Sequence, residues 1–198
     1  WNFGFVAPAL AQSWGLKPTD IATILFWYFI GMTSGGFLGG VISDFIGRRP
    51  TFLISIVIFS VSSVITGFTD NFVVFTIFRA LPGFGVFCMM VTSQAYIAEM
   101  APCQTRGMWQ GRVAAVGFCA VPFVALACRV VIPMADEAWR FIFYAGGLGI
   151  IPFLLGLKYL KESPRWLVTH GRIKESGELV TYLTGKDIDL SEAAKSVQ

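Results

Sequence analysis

Three short charged groups interrupt an otherwise apolar chain. Asp44, Arg48 and Arg49 fall in SDFIGRRP, residues 43–50; Glu99 and Arg106 fall in EMAPCQTRG, residues 99–107; Glu162 and Arg165 fall in KESPRWL, residues 161–167. Each sets an acid within seven residues of a base. The chemistry such groups can do is ionic: opposite charges on neighbouring helix ends attract, and they let go when the ends part. Asp44 is the informative member. It lies at the C-terminal end of an apolar run, where a helix dipole is already negative, so it needs an Arg or another helix's N-terminus as compensation. A positive-inside topology signal would explain Arg48 and Arg49 but not Asp44. Gly47 between them permits a tight turn. Arg79 is a different case, a lone base well inside an apolar run, and an intramembrane charge is a functional hypothesis by default.

Other chemistry is not in evidence. His170 is the only histidine and sits in the polar segment THGR, where a solvated surface residue is expected. No Ser/His/Asp arrangement, metal-ligand spacing or phosphate loop is present, so neither an enzyme nor a cofactor is expected. Cys88, Cys119 and Cys128 lie in apolar runs and Cys103 in a short polar loop; scattered in this way they read as packing residues. No basic run points to nucleic acid.

The elements that must position these charges are membrane helices. Of the 198 residues, 55% are hydrophobic and 14% charged, against about a quarter charged in soluble domains. A bilayer core needs about 20 apolar residues per helix. The stretches 21–42, 51–68, 73–98, 113–133 and 141–159 qualify. Residues 1–14 supply about half a span, so the chain reads as starting inside a helix. The expected fold is all-α, a polytopic membrane bundle with a partial first helix and five full spans. The loops fix its orientation. With 43–50 inside, eleven of the fifteen Lys and Arg residues fall on the cytoplasmic side and three outside, with Arg79 left within a span. The N-terminus and the tail are then cytoplasmic. The tail, 161–198, reads as one or two amphipathic helices on the membrane surface followed by the start of a linker, separate from the bundle of 1–160. Gly31, Gly35 and Gly39, like Gly36 and Gly40, recur every four residues and allow close helix approach. Pro82, Gly83 and Pro122 interrupt spans four and five.

Four motifs carry a family resemblance. GGVISDFIGRR, residues 39–49, resembles the loop between the second and third helices of the major facilitator superfamily. RALPGFG, residues 79–85, resembles its fourth-helix pattern. YIAEMAP at 96–102 with TRG at 105–107, and ESPRWL at 162–167, resemble signatures of its sugar-porter and metabolite or organic-ion symporter branches. The resemblance covers essentially the whole chain. It implies the first six-helix half of a twelve-helix transporter in the plasma membrane, with the second half as partner. It also implies alternating access about a midplane site, closed on the inside by a network of Asp44, Arg48, Arg49, Glu99, Arg106, Glu162 and Arg165.

The same resemblance raises the question of substrate. In proton-coupled relatives the Arg matching Arg79 pairs with an Asp on the first helix, in a pattern like Tyr-Asp followed two residues later by Gly. Here Trp1-Asn2-Phe3-Gly4 places Asn2 at that position, and Asn cannot carry a proton. Coupling then uses a carboxylate elsewhere, or none, or Arg79 is free for an anionic substrate. Sugar porters place a Gln on the fifth helix about eight residues after the Arg-Gly pair; that count lands on Ala114. The polar or amphipathic candidates left are Gln94, Thr92 and Ser93 on span four and Trp27 and Tyr28 on span two. A small organic acid, aromatic in preference, is the expected substrate, carried by symport with protons as a candidate ion. A sugar porter and a non-transporting receptor on the same scaffold are the alternatives.

Overall fold

The computed structural model describes residues 2–135 and 137–185. Its first five helices are α1 (Asn2–Trp14), α2 (Pro18–Ile46), α3 (Arg48–Phe68), α4 (Phe72–Met100) and α5 (Arg106–Val131). Four more follow: α6 (Trp139–Tyr144), α7 (Ile150–Tyr159), α8 (Pro164–Thr169) and α9 (Ile173–Thr184). Among the described residues, five segments are long and apolar enough to span a bilayer: Pro18–Ile46, Arg48–Phe68, Phe72–Met100, Arg106–Met134 and Trp139–Tyr159. They contain the five apolar stretches read from the sequence. Most run beyond those stretches, because polar residues at the interface continue a helix that apolar composition alone stops counting. α5 thus begins seven residues before position 113.

The ends are specified locally. Pro18 opens α2 at a position that needs no N–H, and the Asp20 carboxylate accepts the Lys17 N–H at 2.9 Å. Asn71 caps α4 by accepting from Val73 N at 2.9 Å and Val74 N at 3.3 Å. The final span is not one continuous α-helix. Ala145–Gly149 forms a 3₁₀ segment between α6 and α7. Its glycines lie against α3: a Cβ on Gly146 would press on the Ser63 side chain, and one on Gly149 on that of Ser60. Ser63 Oγ donates to Phe143 O at 3.0 Å across that contact.

α2 packs closely on α4 through its glycine repeat. A Cβ on Gly39 would sit 2.7 Å from the Cys88 Cα, whereas one on Gly36 would reach only the Phe87 ring edge at 3.5 Å. The two repeats therefore differ: 31, 35 and 39 form the helix contact and 36 and 40 lie beside it. A core of Phe3, Val6, Leu10, Ile24, Phe75, Trp139 and Phe143 closes the end opposite the 43–50 turn. Arg140 locks that end by donating to Gly67 O at 2.9 Å and pairing with Asp70 and Glu137. Apolar faces of α5 and α7, including Phe118, Phe123 and Leu154, are exposed, as suits helices whose solvent is lipid or another helix. Cys88 and Cys128 are buried, as packing residues should be; Cys103 and Cys119 are exposed, unlike the packing residues expected. α8 and α9 follow the last span as separate short helices, and residues 186–198, the expected linker, lie outside the described residues.

Candidate functional site

The charged groups converge on the end of the bundle that holds the turn at Gly47. That residue has φ +108°, a conformation open to glycine, and a Cβ there would lie 3.1 Å from the Glu162 carboxyl carbon. The turn lets α3 begin immediately, so Arg48 is one helical turn beyond Asp44 and reaches back. Arg48 Nη1 meets Asp44 Oδ1 at 2.5 Å, and the guanidinium also forks onto Glu99, with Nη2 to Oε1 at 2.8 Å and Nε to Oε2 at 3.2 Å. The two-point geometry is what a planar guanidinium offers a carboxylate. The Arg48 and Glu99 side chains are 11% and 12% exposed, while that of Asp44 is 69% exposed. The Glu99 contact is thus the strong one, and Asp44 adds a solvated pair.

Glu162 acts differently from its expected part in an ion pair. Its Oε1 accepts the main-chain N–H of Arg48 at 2.9 Å and of Arg49 at 3.2 Å, as well as that of Ser163 at 2.9 Å. Gly47 has no side chain with which to cap α3, and Glu162 supplies the missing carboxylate where the helix dipole favours a negative charge. Two further helix ends are tied in. Arg49 Nη2 donates to Leu157 O at 2.8 Å in the last turn of α7, and Trp166 Nε1 donates to Asp44 O at 2.8 Å in the last turn of α2. The ends of α2, α3, α4 and α7 are therefore joined through five charged side chains and one indole.

Not every expected member joins. Arg106 lies 3.7 Å from Cys103 Sγ and meets no carboxylate among the described residues. Arg165 is exposed and forms no ion pair among them. Trp166 was not apparent from the sequence, because an indole donor to a distant carbonyl leaves no local pattern. Glu162 as a cap had a signal: a helix starting directly after glycine must find a capping acceptor elsewhere.

Arg79 lies about two turns into α4 and is 2% exposed. Its guanidinium carbon lies 4.9 Å from the Phe3 ring centroid and 5.1 Å from those of Tyr28 and Phe143. Its Nε is buried without a hydrogen-bond partner among the described residues. α4 approaches α2 here through Gly83, where a Cβ would stand 2.6 Å from Tyr28 O and 3.1 Å from the Tyr28 ring. Tyr28 and Arg79 are thus brought together. Trp27 is not part of that cage: it is 48% exposed and borders an apolar groove with Ile30, Ile77 and Leu81. Gln94 lies roughly 22 Å farther along α4 by helical rise, where its backbone carbonyl accepts from Gln110 Nε2 at 3.5 Å. Ser93 is occupied locally with Met90 O, whereas the buried Thr92 hydroxyl has no partner among the described residues. The side chain of Asn2 lies outside the described residues. Phe3 and Phe143 were not identified from the sequence, since no spacing distinguishes them among nineteen phenylalanines.

A buried cation ringed by aromatic faces, with its Nε–H unclaimed, can bind an anion with a flat apolar body. Comparisons with known proteins bear on that chemistry. The family described as "Sugar (and other) transporter" matches residues 8–198. The putative metabolite transport protein YyaJ of Bacillus subtilis is 35% identical over 176 residues, which cover 89% of this chain and 39% of that protein. The gentisate transporter of Corynebacterium glutamicum is 32% identical over 160 residues, 78% of this chain and 34% of that protein. The proton:xylose symporter XylE, solved with 6-bromo-6-deoxy-D-glucose, superposes with a TM-score of 0.78 over 99% of this chain and 48% of that one, at 24% identity, a likeness of fold. The chain spans about two fifths of the length of the curated relatives it matches.

Proposed function

The chain belongs to the sugar (and other) transporter family of the major facilitator superfamily, and from that premise we propose that the whole protein carries a small organic acid, aromatic in preference, by alternating access and symport. It is an integral membrane protein of a transport family, not an enzyme. The reading places residues 1–160 as the N-terminal bundle of a plasma-membrane transporter. Its N-terminus and the 161–198 segment are cytoplasmic, and a second six-helix half of the same protein completes the cavity.

The observation that carries the substrate class is the Arg79 cage. An intramembrane Arg costs up to about 2.5–3.5 kcal/mol on insertion scales, the value at a helix centre. Aromatic faces return about 0.5–2 kcal/mol each, so three rings roughly offset the burial while leaving Nε free. A carboxylate completes that arrangement better than a sugar hydroxyl does, and an aromatic body fits the walls. The relative named as a gentisate transporter supports the same class. The proton carrier we assign to a carboxylate in the second six-helix half of the protein. At the other end, the Arg48–Glu99 contact and the Glu162 cap act as the inner latch, formed when the inside is closed and broken when the helix ends part. Uptake of a labelled aromatic acid such as gentisate, competed by other aromatic acids but not by hexoses, tests the reading. Uptake of hexoses indifferent to aromatic acids would replace it with the sugar-porter reading, and saturable uptake of neither would favour a receptor.

A further inference from the structure

The backbone just ahead of Arg79 has a gap in its hydrogen bonding, and one side-chain donor lies within reach of it. Residue 82 is proline and has no N–H, so the carbonyl four residues earlier, Phe78 O, has no helical partner. Phe78 directly precedes Arg79. The Thr66 hydroxyl, on α3 and 0% exposed, lies 2.9 Å from Phe78 O. The same hydroxyl is 2.7 Å from Ser62 O in its own helix, and it has a single proton to give. Without Phe78 as an acceptor it would be an ordinary helix threonine bonding back to i−4. Pro122 in α5 frees Phe118 O in the same manner, yet among the described residues no side chain from another helix donates to that carbonyl.

We propose that Thr66 is a positioning residue for Arg79: by holding the Phe78 carbonyl that Pro82 releases, it fixes the turn of α4 from which the guanidinium enters its aromatic cage. Gly83, beside Pro82, admits Tyr28 on the α2 side, so the proline–glycine pair is clamped from both neighbours, by a hydroxyl from α3 and by a ring from α2. Losing the hydroxyl leaves a buried carbonyl unpaired next to the residue that must be held still. The turn can then rotate to find another donor, and Arg79 moves with it. The inference rests on the reading of Arg79 as the carboxylate contact.

The test uses the full-length protein in proteoliposomes with gentisate as probe. Thr66→Val, which keeps the shape and removes the donor, raises KM at least fivefold with the maximal rate within twofold, and Thr66→Ser restores the original KM. In a Pro82→Ala background residue 82 regains its N–H and takes Phe78 O itself, so adding Thr66→Val there changes nothing. An unchanged KM in Thr66→Val, or an equal loss in both backgrounds, overturns the positioning role. Arg79→Ala is assayed beside them: gentisate uptake unaltered in that variant, or absent in the unsubstituted protein, defeats the reading of Arg79 instead. Hydrogen exchange over residues 75–82 needs no substrate. It quickens in Thr66→Val only when Pro82 is present, and unchanged exchange overturns the proposal whatever uptake does.

Discussion

Glu162 lies 114 residues beyond Arg48 in the chain, yet its carboxylate accepts the Arg48 main-chain N–H at 2.9 Å and so caps α3. The contact ties the segment after the last span to the start of the third, at the end where Arg48 grips Glu99. Removing the cap separates its two contributions. Glu162→Ala leaves two helix N–H groups without acceptors and lowers stability by about 1–2 kcal/mol. Glu162→Gln keeps an acceptor, loses the charge at the dipole, and costs about 0.3–1 kcal/mol. Thermal unfolding in detergent reads the difference. Equal, negligible shifts in both variants would mean that α3 does not depend on this carboxylate.

The two acids on Arg48 are predicted to rank by burial. Glu99→Gln breaks a pair whose side chains are 11% and 12% exposed, a loss of about 1.5–3 kcal/mol, as for hydrogen bonds between charged groups. Asp44→Asn removes a partner that is 69% exposed, worth about 1 kcal/mol or less. Glu99→Gln also frees the inner ends to part. A cysteine placed at the buried Ser43, in a background without Cys103 and Cys119, then reacts faster with a thiol reagent from the cytoplasmic side. Matching effects from the two substitutions would contradict the ranking.

The glycine repeat of α2 supplies a test with its own control. Gly39→Ala drives a methyl to within 2.7 Å of the Cys88 backbone and forces α2 from α4, an overpacking cost of about 1–3 kcal/mol. Gly36→Ala places its methyl in ordinary contact at 3.5 Å and is near neutral. Folded yield and melting temperature of the two variants decide it, and a tolerant Gly39 would show that the helices do not pack as described.

The sequence revealed these features unevenly, for physical reasons. Span length is written in composition, because about 20 apolar residues must match the bilayer, so all five spans were legible. The 3₁₀ break at Ala145–Gly149 was not, since hydropathy is blind to what three glycines do to helix continuity. Asp44, Arg48, Glu99 and Glu162 could be recognised as charges stranded at helix ends. Their connections could not, because a carboxylate 114 residues away capping a glycine-led helix is a tertiary fact. Arg79 stood out for its depth in an apolar run. Its cage was legible only in Tyr28, for Phe3 and Phe143 arrive from α1 and α6.

Symport makes a directional prediction. An inward proton gradient imposed on proteoliposomes of the full-length protein accelerates uptake of gentisate several-fold, and a protonophore removes the acceleration. Uptake equally fast with and without the gradient would assign the protein to facilitated or anion-linked transport.

The central claim is that Arg79, buried among Phe3, Tyr28 and Phe143 with an unclaimed Nε, is the contact for a carboxylate substrate. Saturable gentisate uptake by the full-length protein, compared with Arg79→Ala and Arg79→Lys inserted at equal levels, tests it most directly. The account predicts uptake lost in Arg79→Ala and weakened at least tenfold in Arg79→Lys, since a lysine cannot reproduce the planar, ring-stacked donor. Undiminished uptake in Arg79→Ala would contradict it.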